Sequence, residues 1–322
     1  MNETPFAPLP FFRGAHRQTF AGWIGKGPVA PAETEILKVP LGEGDSTTLH
    51  YYEPPGLALE APTLVLLHGL EGDATRPYMI RTALKAAARG FRAARMNMRW
   101  CGDAEGLSKK FYNSTQSGDV AKVCEFLSRR HPASPIAALG FSLGGNTILK
   151  MAAERLFPVV AVAAVCPPVD LEAASLKIVR PHNRFYHRYL VRSMVDRGNR
   201  FLTGNKVELE ATLDYRMTIM EFDTRFTVPL GGFESLDDYY TKGSSIDRLP
   251  DIQCPTLILC AQDDPLIPFE SFEGIDGRVR VLATRTGGHL GFVGRRDPRD
   301  PDRYWAENRL LDFLVERLEE GS

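Results

Sequence analysis

The sequence is 322 residues long, 43% hydrophobic and 25% charged, with a formal net charge of −1. This length suits one large α/β domain carrying an insertion, and the composition is that of an ordinary globular protein. A balance so close to neutral sets up no global field toward nucleic acid or a membrane, and no apolar run approaches the roughly 20 residues of a membrane span.

Residues 1–33 read as an N-terminal arm whose start, Met1 to Pro10, is Pro-rich and lacks the basic and apolar regions of a signal peptide. Two short strands are expected around Ile36 and Leu49. Thr63–Leu67 reads as a buried strand, followed by His68-Gly69-Leu70-Glu71-Gly72 and then a helix near Tyr78–Ala88 that stops at Gly90. Arg92–Met96 is the next strand, and Val120, Val123, Cys124 and Leu127 fall at helical spacing on one face. The apolar run Ile136–Leu139 leads into Gly140-Phe141-Ser142-Leu143-Gly144, which opens a helical stretch from Gly145 to Glu154. A further strand, Val159–Val165, ends at Pro167-Pro168. Past an interruption from 171 to 251, Pro255–Cys260 and Val279–Leu282 read as strands, and Leu310, Leu311, Leu314 and Leu318 share a helical face. Alternating strand and helix imply a mostly parallel, doubly wound sheet flanked by helices, the α/β class. The expected division is an arm over 1–33, a core of 34–170 with 252–322, and a helical cap insertion over 171–251.

Strand, glycine-flanked turn and helix around Ser142 make a nucleophile elbow, in which the turn holds the hydroxyl out at its tip. Alone, the pentapeptide is weak evidence, because a serine at a helix start is commonly just an N-cap. Its context adds weight. Asp263-Asp264-Pro265 follows the strand at Pro255–Cys260, and Thr286-Gly287-Gly288-His289-Leu290-Gly291 is a flexible loop carrying a histidine. Taken singly, these are a solvated turn and a loop histidine. Together they follow Ser142 in the order serine, acid, histidine. Serine needs His289 to take its proton, and His289 needs a carboxylate to fix its tautomer and stabilise the imidazolium. Asp264, about three residues past the strand's end and just before Pro265, is favoured over Asp263. The expected oxyanion donors are the backbone N–H groups of Leu143, after the nucleophile, and Leu70, in the loop after an earlier strand. His68 is expected to be structural.

With these residues in view, the chain resembles the α/β-hydrolase superfamily, and within it the YheT-like hydrolases, which include bacterial esterases and eukaryotic phospholipase relatives. The resemblance covers nearly the whole chain. It rests on His16-Arg17-Gln18-Thr19, His68-Gly69-Leu70-Glu71-Gly72, Gly140 to Asn146, Gly231-Gly232-Phe233 with Asp238-Tyr239-Tyr240, Asp263-Asp264-Pro265 and Gly287 to Phe292. It implies a triad of Ser142, one of Asp263 and Asp264, and His289. Two loops depart from the family's pattern: Asn97-Met98-Arg99-Trp100, where the family often has Asn-x-Arg-Gly, and Tyr112-Asn113-Ser114-Thr115, where it often has Tyr-His-x-Gly. Both are expected near the C-terminal strand edge, where such sheets bind ligands.

The expected function is serine hydrolysis of a small, lipid-like carboxylic ester through an acyl-enzyme, with no metal or organic cofactor and no nucleic-acid partner. The same parts serve a thioesterase or amidase, and a catalytically silent fold that binds a ligand is the alternative from another class. In the 171–251 segment, Lys177, Arg180, Arg184, Arg188, Arg192, Arg197 and Arg200 read as a solvated basic face, while Phe185, Tyr189 and Met194 are core or the roof of an acyl pocket. The five cysteines, at 101, 124, 166, 254 and 260, show no metal-ligand spacing, and their odd number argues against a full disulfide framework. A cytoplasmic location is expected, with contact at a membrane surface left open.

Overall fold

The computed structural model describes residues 5–24, 27–209 and 212–320. Among these, eight strands form one sheet: β1 (Glu35–Gly42), β2 (Asp45–Tyr52), β3 (Thr63–Leu67), β4 (Arg92–Met96), β5 (Ile136–Phe141), β6 (Ala161–Val165), β7 (Thr256–Ala261) and β8 (Val279–Thr284). Their order across the sheet is β1-β2-β4-β3-β5-β6-β7-β8. The pairs β1–β2 and β2–β4 are antiparallel, and every pairing from β4 across to β8 is parallel.

Helices follow in chain order as α1 (Ala15–Ile24), α2 (Pro77–Ala87), α3 (Ser117–Arg130), α4 (Leu143–Ala153), α5 (Leu171–Ile178), α6 (Arg184–Asn205), α7 (Ile219–Phe222), α8 (Val228–Gly231), α9 (Leu236–Gly243) and α10 (Trp305–Glu320). A π-helical turn, Asp223–Thr227, joins α7 to α8. One face of the sheet is covered by α2 and α10, through Met79, Ala83, Leu310 and Leu314. The other is covered by α3 and α4, through Val120, Val123, Leu127 and Ile148. The central strands β3 to β7 are therefore buried along their whole length, which is why most of them read as continuous apolar runs. Apolar side chains of α6 and α7, such as Val191 and Phe222, join the α3–α4 core. No helix of the described residues is long and apolar enough to cross a membrane.

The structure adds to or revises the sequence-based expectation at three places. The arm is not a bare arm: it forms α1, whose Gln18 and Thr19 are fully buried. Arg92 and Arg95 are also buried, inside β4. Arg92 donates to Glu53 at 2.8 Å and to the carbonyl of Ala58 at 2.8 Å, and Arg95 donates to the carbonyl of Ala74 at 2.6 Å. Arg197 does not belong to the solvated basic face, because it is buried against Glu71.

Candidate active site

β3 and β5 are neighbours, so the loops leaving their C-terminal ends lie side by side at the point where the chain's direction of winding reverses. Ser142 follows β5 with φ 50° and ψ −122°, so the serine itself carries the left-handed strain. Such a conformation costs about 1–3 kcal/mol and persists only where its surroundings hold it. The flanking glycines serve close approach instead of the bend. A Cβ on Gly140 would lie 2.4 Å from the carbonyl oxygen of Gly144, and one on Gly144 would lie 2.3 Å from that of His68. One on Gly69 would lie 3.1 Å from the Ser142 Cβ.

The topology brings the remaining groups to the same edge. His289, in the loop after β8, has its Nε2 2.9 Å from Ser142 Oγ and its Nδ1 2.8 Å from Asp264 Oδ2. Asp264, in the loop after β7, also accepts the backbone N–H groups of Leu266 at 2.8 Å and Ile267 at 3.0 Å through Oδ1. Burial alone would raise its pKa, but the charge and hydrogen bond of His289 and those two amides together hold it below the usual carboxylate range. Asp263 points elsewhere. Its Oδ1 accepts the Gly288 N–H at 2.9 Å, its Oδ2 has no protein partner, and burial raises its pKa. A hydroxyl bonded to an imidazole that a buried carboxylate orients is the arrangement general-base activation of serine requires.

Leu70 and Leu143 line the same cavity as Ser142, and neither backbone N–H donates to another described group. The loop holding Leu70 is fixed from below by His68. This ring is fully buried, with Nδ1 2.8 Å from the Gly69 carbonyl oxygen and Nε2 accepting the Met98 N–H at 3.0 Å. Burial pushes its pKa down to about 4, so it sits neutral between these two partners.

The cavity measures about 220 Å³. Its apolar wall includes Trp23 from α1, Leu171 and Ile178 from α5, Tyr189, Leu190 and Met194 from α6, and Phe222 from α7. Phe185 is not part of it: its ring is 57% exposed and packs against Phe20. Of the two loops that depart from the family pattern, Tyr112 and Asn113 line the cavity. Trp100 instead holds φ 61° where a glycine was expected, and its ring is buried against Phe201 of α6.

Three contributors were not legible in the sequence. Thr19 Oγ1 accepts the His289 N–H at 2.9 Å, while Gln18 bonds both the carbonyl and the N–H of Val293, so α1 braces the histidine loop. Glu71, deeply buried in the loop after β3, faces Arg197. Asp223, in the π-helical turn, lines the cavity, and its carboxylate accepts Thr227 Oγ1 at 2.7 Å and the Tyr240 hydroxyl at 3.1 Å. The His16–Thr19 and His68–Gly72 matches contained Gln18, Thr19 and Glu71 without giving them a role, since pairings over such sequence distances leave no local period. Cys166 Sγ clusters with the ligand-type atoms of Asp264 and His289 within 4.8 Å. Burial, with the Asp264 charge beside it, holds that thiol well above its usual range, which opposes the thiolate a metal needs.

Comparison with known proteins follows the same lines. A family model described as the alpha/beta hydrolase fold matches residues 62–295. The chain is 31% identical over 330 residues to the Escherichia coli (strain K12) protein YheT, named as a proposed esterase, covering 100% of this chain and 96% of that one. It is 25% identical over 337 residues to Phospholipase ABHD3 of Homo sapiens, covering 100% of this chain and 81% of that protein. Among solved structures, 2,6-dihydroxy-pseudo-oxynicotine hydrolase is similar in fold, with a TM-score of 0.61 at 18% identity over 95% of this chain and 73% of that one.

Proposed function

The chain belongs to the α/β-hydrolase fold family, and from that premise we propose that it hydrolyses carboxylic esters through an acyl-enzyme on Ser142. The observation that carries this reading is the continuous hydrogen-bonded line from Asp264 through His289 to Ser142, with links of 2.8 and 2.9 Å, at the wall of an apolar cavity. His289 Nε2 takes the hydroxyl proton as Ser142 attacks the acyl carbonyl, then returns it to the leaving alcohol. Water resolves the acyl-enzyme by the same base. Asp264 stays ionised and holds Nδ1–H of the ring, which fixes the tautomer and stabilises the imidazolium. The N–H groups of Leu70 and Leu143 stabilise the oxyanion as it forms. A lipid-like acyl group suits the cavity wall, and residues 171–251 act as the cap that supplies much of it. The relatives named as an esterase and a phospholipase support an ester over an amide.

Labelling with a fluorophosphonate probe tests the chemistry. Wild-type protein is expected to label, and Ser142→Ala to lose both labelling and turnover of p-nitrophenyl esters while remaining folded. Labelling of the alanine variant at the wild-type rate would remove Ser142 from the mechanism. Absence of labelling in the wild type would favour the catalytically silent alternative.

A further inference from the structure

We propose that the face formed by α1 and the first turns of α6 docks on an anionic lipid surface and presents the cavity mouth to it. The two helices meet in an aromatic seam: the rings of Phe20 and Phe185 lie 6.0 Å apart, and those of Trp23 and Tyr189 lie 5.4 Å apart. The outer edge of that seam is left to solvent, with Phe20 42%, Phe185 57% and Tyr189 46% exposed. Single exposed apolar residues are ordinary, but contiguous exposed aromatics mark an interaction site. Trp23 and Tyr189 also line the cavity that holds Ser142, so the seam runs into the rim of the candidate active site.

The free charge on the seam's two helices has one sign, and Glu221 of α7, which faces His187, is engaged by the Thr218 N–H at 2.7 Å and by Arg225 at 3.9 Å. Arg17 on α1 and Arg184 and Arg188 on α6 are exposed, and none makes an ion pair among the described residues. α1 has no acidic residue, and the acidic residue of α6, Asp196, is engaged by the Tyr215 hydroxyl at 2.6 Å. Phe185 and Tyr189 stand four residues apart, as do Arg184 and Arg188, so each pair repeats along the helix surface. Aromatic side chains flanked by arginines match the headgroup boundary of an anionic bilayer, where rings insert and cations meet lipid phosphates. The near-zero net charge of the whole chain does not oppose this, because screening limits attraction to charges within about a Debye length of the surface. Continuity with an apolar cavity selects a membrane over a nucleic acid as the occupant.

Co-sedimentation with vesicles tests the proposal without using the chemistry of Ser142. Wild-type protein and Ser142→Ala are both expected to bind vesicles of phosphatidylcholine mixed with phosphatidylglycerol, and to bind phosphatidylcholine alone roughly tenfold or more weakly. Arg184→Gln/Arg188→Gln is expected to lose the preference for the anionic mixture. Phe20→Ser/Phe185→Ser is expected to lose binding to both. Each double variant should keep the wild-type circular dichroism and wild-type turnover of a soluble acetate ester. Wild-type protein that stays in the supernatant with the anionic vesicles would overturn the proposal, as would variants that bind like wild type.

Discussion

At the scale of single residues, the site separates two adjacent carboxylates by environment. Asp264 is 3% exposed, accepts two backbone N–H groups and the imidazole, and so stays ionised. Asp263 holds the Gly288 N–H instead and reaches neither nitrogen of the ring. Asp264→Asn is therefore expected to lower kcat by about 10⁴, because the amide stabilises the wrong tautomer of His289. Asp263→Asn keeps an acceptor for Gly288 and is expected to cost roughly tenfold or less, through looser placement of the loop. Steady-state kinetics of both purified variants on one ester decide the matter, and the reverse order of damage would assign the acid to Asp263. Ser142, Asp264 and His289 stand out as candidates in the sequence because each lies in a loop past a strand end, where chain order and turn chemistry mark it. The strain at Ser142 does not, because a positive φ on a serine leaves no mark in the sequence, and the glycines beside it serve close packing.

At the scale of elements, legibility follows the source of each element's stability. β3 and β4 begin and end where the sequence suggests, at 63–67 and 92–96, because central parallel strands are short and bounded by turn residues. α1 was missed because its sequence, AHRQTFAGWI, shows no clean apolar stripe, and it buries the polar Gln18 and Thr19 completely. The turn at Asp223–Thr227 is π-helical, and such turns depend on tertiary packing that no local period encodes. It leaves a measurable mark. Burial pushes the Asp223 carboxyl up to about 7 against the hydrogen bonds of Thr227 and Tyr240. A folded state with the higher pKa binds the proton more tightly, so the stability from protonated Asp223 is complete below the ordinary 3.8 and is lost as pH rises through about 7. Asp223→Asn mimics the protonated form. It is expected to match wild type near pH 4 and to exceed it above pH 7 by on the order of a few kcal/mol. Urea unfolding midpoints at the two pH values measure this, and a difference that does not change with pH would mean that Asp223 is ionised at no cost in the fold.

At the scale of the whole molecule, polar contacts tie the N-terminal segment and residues 171–251 to the sheet at the candidate active site. Thr19 binds the histidine loop, and Glu71 binds α6. Glu71 is 3% exposed and accepts Arg197 Nε at 3.1 Å, Ser193 Oγ at 2.5 Å and the Tyr112 hydroxyl at 2.5 Å. Arg197 Nη1 also donates to the Trp100 carbonyl oxygen at 2.9 Å. One buried ion pair thus joins three parts: the loop carrying Leu70, the loop after β4, and the helix lining the cavity. Sequence alone hid it, since Arg197 stands within a run of basic residues whose other members, such as Arg184 and Arg188, face solvent. A buried pair of this kind contributes little net stability when intact, yet removing one partner strands the other charge. Arg197→Met is therefore expected to destabilise the fold by about 3–5 kcal/mol. Arg197→Met/Glu71→Gln removes both charges and keeps an amide to meet Tyr112 and Ser193, so it is expected to recover most of that loss. Urea unfolding of the two variants beside wild type provides the comparison. A double variant no more stable than Arg197→Met would show that the arginine acts by packing and its bond to Trp100, and that Glu71 is not the charge it compensates.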